Sequence, residues 1–182
     1  MVEKNSPEKN LQIIQEILKP MPEGILEIVD KLRKSIRSYF PELEEKGYPV
    51  WKAIGYRDKN SGYVCGIFPF LERVQLIFEW GILFQDPKNV LLGETKQIRY
   101  LEYTSLEEIR FPLIREFILQ GLSLPQGTKD KKFLAQGILS KTTTAKSKKI
   151  EAKKQLAKKD SIKKAKAKTS IEKKSVKRKG KP

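Results

Sequence analysis

Apolar and polar residues alternate along this chain with two different periods. Leu11, Ile14 and Leu18 recur at helical spacing behind Ser6-Pro7-Glu8. A capping serine, a first-turn proline and an acidic residue there predict a helix start. Pro20 and Pro22 stop that helix and open a second. Its stripe of Ile25, Ile28, Val29, Leu32 and Ile36 should face a core, and Pro41 should end it. After the acidic Glu42-Leu43-Glu44-Glu45 the chain turns at Gly47, and the period shortens. Val50 to Tyr56 reads as a strand, 57–62 as a hairpin turn, and Tyr63 to Phe68 as the return strand. In the next strand, Arg73 to Glu79, Val74, Leu76 and Phe78 alternate with more polar positions. That alternation fits an antiparallel sheet covered on one side. Asp86-Pro87 and Gly93 are spaced to bracket a short helix. Gln97 to Tyr103 is a further strand, Ser105 and Glu108 have capping-box spacing, and a helix carrying Leu113, Phe117 and Ile118 follows Pro112.

Beyond Leu124 the pattern fails. Phe133, Leu134, Ile138 and Leu139 form a small apolar island, and from Lys141 the chain is mostly Lys, Ala, Ser and Thr. So little apolar surface does not offset backbone ordering at about 1–2 kcal/mol per residue. The expected class is α+β: N-terminal helices and a C-terminal helix on an antiparallel sheet of about 4–6 strands, then a disordered tail. The expected segments are a helix at 1–20, an α+β domain at 21–124 and a basic tail at 125–182.

Charge sharpens that division. The 38 Lys and Arg against 22 Asp and Glu give a net +16. From Lys129 to Pro182 there are 21 cations against 4 acids, a net of +17, so residues 1–128 carry −1. The basic excess therefore belongs to the tail. The chain has no histidine, which removes His-based triads and Cys/His zinc sites. Cys65 is the only cysteine, so no intrachain disulfide forms and a reducing compartment fits. The polar N-terminus has no signal-peptide h-region, and no apolar run approaches a membrane span. A cytoplasmic location is expected, near the nucleoid if the tail holds nucleic acid.

Six short pieces carry a family likeness: Pro41-Glu42-Leu43-Glu44-Glu45, Gly47-Tyr48-Pro49-Val50-Trp51, Val64-Cys65-Gly66-Ile67, Val74-Gln75-Leu76-Ile77-Phe78, Asp86-Pro87 with Leu91-Leu92-Gly93, and Lys96-Gln97-Ile98-Arg99. In order and spacing, Met21 to Leu122 resembles the YdhG-like family, a bacterial α+β domain some of whose members are labelled iron chaperones or frataxin-like. The resemblance implies the sheet topology and a link to iron, and no catalytic residue. Where that family often has a histidine before the Val74 strand, this chain has Arg73.

Three kinds of site follow from the residues. Glu23, Glu27 and Asp30 share a helix face, and Glu42, Glu44 and Glu45 form a second acidic group; either would offer hard oxygen ligands to iron. Against this, Lys31 and Lys34 stand four residues after Glu27 and Asp30, the order that favours surface ion pairs. Trp51, Tyr56, Tyr63, Trp80 and Phe84 would line a groove, with Glu79 or Arg99 as polar anchor for a small ligand. The plainer reading makes half of them core. Cys65, with no cation beside it in sequence, reads as a buried inert thiol.

The tail supplies the third. Lys148, Lys149, Lys153, Lys154, Lys158, Lys159, Lys163, Lys164, Lys173, Lys174, Lys177, Arg178 and Lys179 would neutralise phosphates without reading base edges. Its composition resembles linker-histone tails. The reading reached is a non-enzymatic binding module with a cationic tail for non-specific nucleic-acid association. The alternatives are an iron chaperone acting through acidic side chains and a small-molecule sensor using the aromatic groove.

Overall fold

A computed structural model describes residues 6–139; the basic stretch from Ser140 lies outside the described residues. Ile138 closes one compact unit, and of the second only Leu139 is described. Helix α1 spans Pro7–Leu18 and starts as its sequence predicts, with Ser6 Oγ accepting from the Lys9 N–H at 3.3 Å. Helix α2, Glu23–Tyr39, buries the whole predicted stripe from Ile25 to Ile36. Pro22 precedes it and makes no side-chain cap.

Five strands follow: β1 Glu44–Tyr48, β2 Ala53–Asp58, β3 Gly62–Pro69, β4 Val74–Phe78 and β5 Arg99–Tyr103. They form an antiparallel meander in sequence order, so every neighbour in the sheet is a neighbour in the chain. The pairing puts Gly47, Ile54, Ile67, Leu76 and Leu101 in one row across all five strands. The row of Glu45, Tyr56, Cys65 and Phe78 lies on the same face, two residues along. These two rows meet α2 and helix α3, Phe111–Ser123, in one apolar core. Core side chains such as Leu32, Ile36 and Phe117 each gain about 1.5–3 kcal/mol from leaving water. Phe78, Phe84 and Phe117 meet with ring centroids 5.4–6.0 Å apart.

A bulge sets β3. Tyr56 faces Cys65 but Arg57 faces Tyr63, so Val64 is the extra residue. Val64 and Cys65 are both buried, and Val64 Cγ1 lies 3.1 Å from where a Gly121 side chain would begin. α3 therefore sits close on the bulge, and Tyr63 is turned to the opposite face.

The outer strands are tied down. Asn10 Nδ2 donates to the Glu45 carbonyl at 2.9 Å and Asn10 Oδ1 accepts from the Gly47 N–H at 2.8 Å, so one amide side chain completes the outer backbone of β1. A Cβ at Gly47 would lie 2.6 Å from Ile13 Cγ2, which is why glycine lets α1 approach. Leu92 and Tyr100 exchange both backbone hydrogen bonds on the outer side of β5. At the β1 edge, on the core side, Arg33 donates to both Glu45 oxygens, at 3.0 and 2.8 Å, and the Tyr56 hydroxyl donates to Oε1 at 2.8 Å.

Three expectations are corrected. The sequence predicts an acidic cluster running into a turn at Gly47; Glu44–Tyr48 is instead a polar edge strand whose burial is limited to Gly47. Residues 86–93 form no helix. The Asp86 carboxylate accepts from the Val90 and Leu91 N–H groups and Asn89 has φ 51°, which holds the segment as a turn leading to the Leu92 bridge. Residues 128–139, expected to be part of the disordered tail, are helical and form α4. Its buried residues are Lys131 and Ala135, one turn apart, while Phe133 is 76 % exposed. Of the apolar island, Phe133 and Leu134 therefore face out, while Ile138 and Leu139 are half-buried.

Candidate functional site

The second face of the sheet holds a cleft of about 720 Å³. Its floor is set by the row one residue along from the core row, where Gly55 pairs with Gly66 and Gly66 with Ile77. Two facing glycines leave bare backbone, and aromatic rings occupy the space. A Cβ at Gly55 would lie 2.6 Å from both Tyr48 Cε2 and Tyr63 Cε2, and one at Gly66 would collide with the Tyr63 hydroxyl. The rings continue outward: Tyr48 and Tyr63 meet edge to face at 6.0 Å, and Tyr48 stacks on Trp51 at 5.2 Å with the planes 15° apart. Trp51 is 59 % exposed at the mouth, whereas Trp80 is 5 % exposed.

Polar groups enter this wall from three elements. Glu79, just past the end of β4, is half-buried and accepts from Gln97 Nε2 at 3.3 Å. Burial raises its carboxyl above the ordinary value, and the nearby charges of Lys131 and Arg57 only partly oppose that. Lys131, from α4, is 4 % exposed and donates to the Ser61 carbonyl at 3.0 Å. Arg57 is exposed at the rim beside Asp58 and Lys59. The Asp58 carboxylate is engaged by its own turn, accepting from the Asn60 and Ser61 N–H groups at 2.8 and 2.7 Å.

Four of the seven groove residues named from sequence meet here: Trp51, Tyr63, Glu79 and Trp80. Tyr56 does not, because it lies on the core face, fully buried, with its hydroxyl on Glu45. Arg99 does not either; its Nη1 donates to the Thr95 and Ile98 carbonyls. Phe84 packs in the core against Phe78 and Phe117. The cleft also gains Tyr48, Phe68, Ile77, Gln97 and Lys131, which sequence reasoning missed. Tyr48 and Phe68 were legible as strand aromatics; Lys131 was not, since it lies in a stretch read as tail.

The acidic groups are arranged differently from a ligand set. Among the described residues, no group of three or more Cys, Asp or Glu is placed to hold a metal ion. Glu23, Glu27 and Asp30 are exposed, and Asp30 is paired with Lys34 at 2.7 Å. Lys31 turns to the Leu106 carbonyl. Glu45 is bound by Arg33 and Tyr56, which leaves only Glu42 and Glu44 of the second group at a surface hollow with Arg57, Asp58 and Lys59. Burial alone would raise the Glu45 carboxyl, but the hydrogen bonds from Arg33 and Tyr56 outweigh it and hold it below the ordinary value. Cys65 is buried, and burial pushes its thiol up, away from the reactive thiolate. No helix among the described residues is long and apolar enough to cross a membrane. The basic residues from Lys148 to Lys179 lie outside the described residues.

Compared with models of protein families, with curated proteins and with solved structures, the chain matches none. The YdhG-like resemblance therefore rests on the six sequence pieces alone.

Proposed function

We propose that the folded part is a non-enzymatic binding module that takes a small ligand in the cleft between Trp51, Tyr63 and Glu79, and that the Lys-rich stretch after it associates with nucleic acid. The observation that carries the first half is the joining of an aromatic run and a half-buried carboxylate around one cleft of about 720 Å³. That volume lies in the range of about 300–1,000 Å³ usual for small-molecule sites, where aromatic walls are joined by placed polar groups. Composition supports the second half: 21 cations against 4 acids from Lys129 to Pro182.

Native mass spectrometry of the full chain, purified from its own host, tests the ligand reading. A retained small molecule that is absent from the Trp51→Ala and Glu79→Gln chains is the expected result. Retained iron in place of an organic molecule would favour the chaperone reading instead. A chain that retains nothing, and binds nothing from its host's small-molecule extract, would remove the cleft from consideration.

A further inference from the structure

The cleft carries both signs of charge, and they are placed differently. Glu79 lies half-buried, with a single long hydrogen bond of 3.3 Å from Gln97. The groups near it are Gln97 before β5, Arg57 on β2, Lys131 on α4 and the Tyr63 hydroxyl on β3. Of the two cations, Lys131 already points its Nζ at the Ser61 carbonyl. Arg57 and Lys59 are exposed at the rim. Inside the cleft, then, the carboxylate is the group short of partners, and the available positive charge is at the mouth.

A ligand carrying only a positive charge would reach Glu79 but would meet Lys131 and Arg57. A ligand carrying only a negative charge would meet Arg57 but would approach Glu79. Like-charge approach in a partly desolvated site is costly, so each is half complementary. A molecule with both charges is complementary at both places. The walls between them suit a flat apolar body, and an ammonium passing the faces of Trp51 and Tyr63 gains cation–π attraction.

We infer that the cleft binds a small zwitterion with a flat apolar body, its ammonium against Glu79, its anionic end toward Arg57 and Lys59, and its ring among Trp51, Tyr63 and Phe68. The inference rests on the ligand reading above and adds the ligand's chemical class.

Four probes sharing one indole separate charge from shape: tryptophan as zwitterion, tryptamine as cation, indole-3-propionate as anion and N-acetyltryptophanamide as neutral body. Binding of each to the full chain would be measured by calorimetry, with saturation-transfer NMR for the weaker ones. Tryptophan should bind about tenfold tighter than either singly charged probe, the least expected for one added charge-assisted contact. Glu79→Gln should weaken tryptophan and tryptamine and spare indole-3-propionate, and Arg57→Gln should weaken tryptophan and indole-3-propionate and spare tryptamine. Equal affinity for tryptophan and the singly charged probes, or equal weakening of all probes by Glu79→Gln, overturns the inference. If the neutral probe still binds in that case and is lost in Trp51→Ala, the cleft reading survives alone. If none of the four binds, the inference fails, and native mass spectrometry of the full chain decides the cleft reading by itself.

Discussion

Lys131 donates from Nζ to the carbonyl of Ser61 at 3.0 Å, joining residues seventy positions apart in the chain. The Ser61 hydroxyl in turn donates to the Leu122 carbonyl at 3.0 Å. One serine at the β2–β3 turn therefore receives α4 and holds the end of α3. The same lysine lines the cleft, so α4 is part of the site's wall.

Lys131→Met keeps the length of the side chain and removes the donor. The Ser61 carbonyl then loses its partner, at a penalty of about 1–3 kcal/mol. Hydrogen exchange should speed up across 128–139 while α2 and the sheet stay protected. Unchanged protection there would mean that α4 is held by Ala135 and not by the lysine.

Gly66→Ala should displace the Tyr63 ring, because the new methyl group occupies the position of its hydroxyl. Overpacking of this kind destabilises by about 1–3 kcal/mol. Tyr63→Ala alone removes the ring from the cleft. In the double variant the clash has no partner, so the two losses should sum to clearly more than the double loss in denaturant unfolding. Additive losses would show that the glycine is needed for some other reason.

The Arg33–Glu45–Tyr56 group gives a pH dependence of known sign. The folded-state carboxyl of Glu45 lies below its ordinary 4.5. Its contribution is fully present above the unfolded value and is lost as pH falls through the folded one. Unfolding measured from pH 7 down to pH 2 should show stability declining below pH 4.5, with a shallower decline in Glu45→Gln. Glu45→Ala at pH 7 strands the Arg33 charge and should lose about 3 kcal/mol. A pH profile identical in the wild type and Glu45→Gln would assign the acid sensitivity elsewhere.

Glu79 has the opposite sign. Its folded-state carboxyl is raised by burial, so the folded protein holds the proton longer than the unfolded chain and stability falls as pH rises from 4.5. Glu79→Gln should therefore unfold at higher temperature than wild type at pH 7, and the gap should close below pH 4.5. A stabilised variant that has lost ligand is what a binding carboxylate predicts. A destabilised one would make Glu79 structural.

The basic stretch predicts a salt dependence. If about ten cations meet phosphates, the logarithmic slope of affinity for duplex DNA against salt should be about −9, equal for unrelated sequences. Removing 140–182 keeps residues 128–139 and the cleft and should abolish binding. Equal binding by the shortened chain, or binding flat with salt, would leave the stretch as a solubilising appendage.

How far the sequence was legible depends on what each element buries. Helix α2 and strand β4 could be read because their buried sides are apolar at the right period, Ile25 to Ile36 and Val74, Leu76, Phe78. Strand β1 could not, since its sequence is polar and its fit depends on Gly47 lying under Ile13. Nor could α4, whose inward side is a lysine and an alanine; periodicity counts apolar residues and passes over a lysine satisfied by a distant carbonyl. The site was read in part. Trp51, Tyr63, Glu79 and Trp80 stood out as aromatic or charged strand residues, but the face that each takes depends on register. The turn at 49–52, with Lys52 at φ 51°, and the bulge at Val64 together send Tyr56 inward and Tyr63 outward.

The Asn10 side chain has a wider effect than docking one helix. A five-stranded meander has two outer strands, and bare outer strands invite another chain to join the sheet as a sixth. Here the middle of β1 is occupied by an amide, and β5 is occupied at Tyr100 by Leu92. Part of each margin is thus already occupied by the chain itself, at Glu45 and Gly47 and at Tyr100, which disfavours a peptide or a further copy joining as a sixth strand. Asn10→Ala should uncover one margin, and slow self-association through β1 would be its sign.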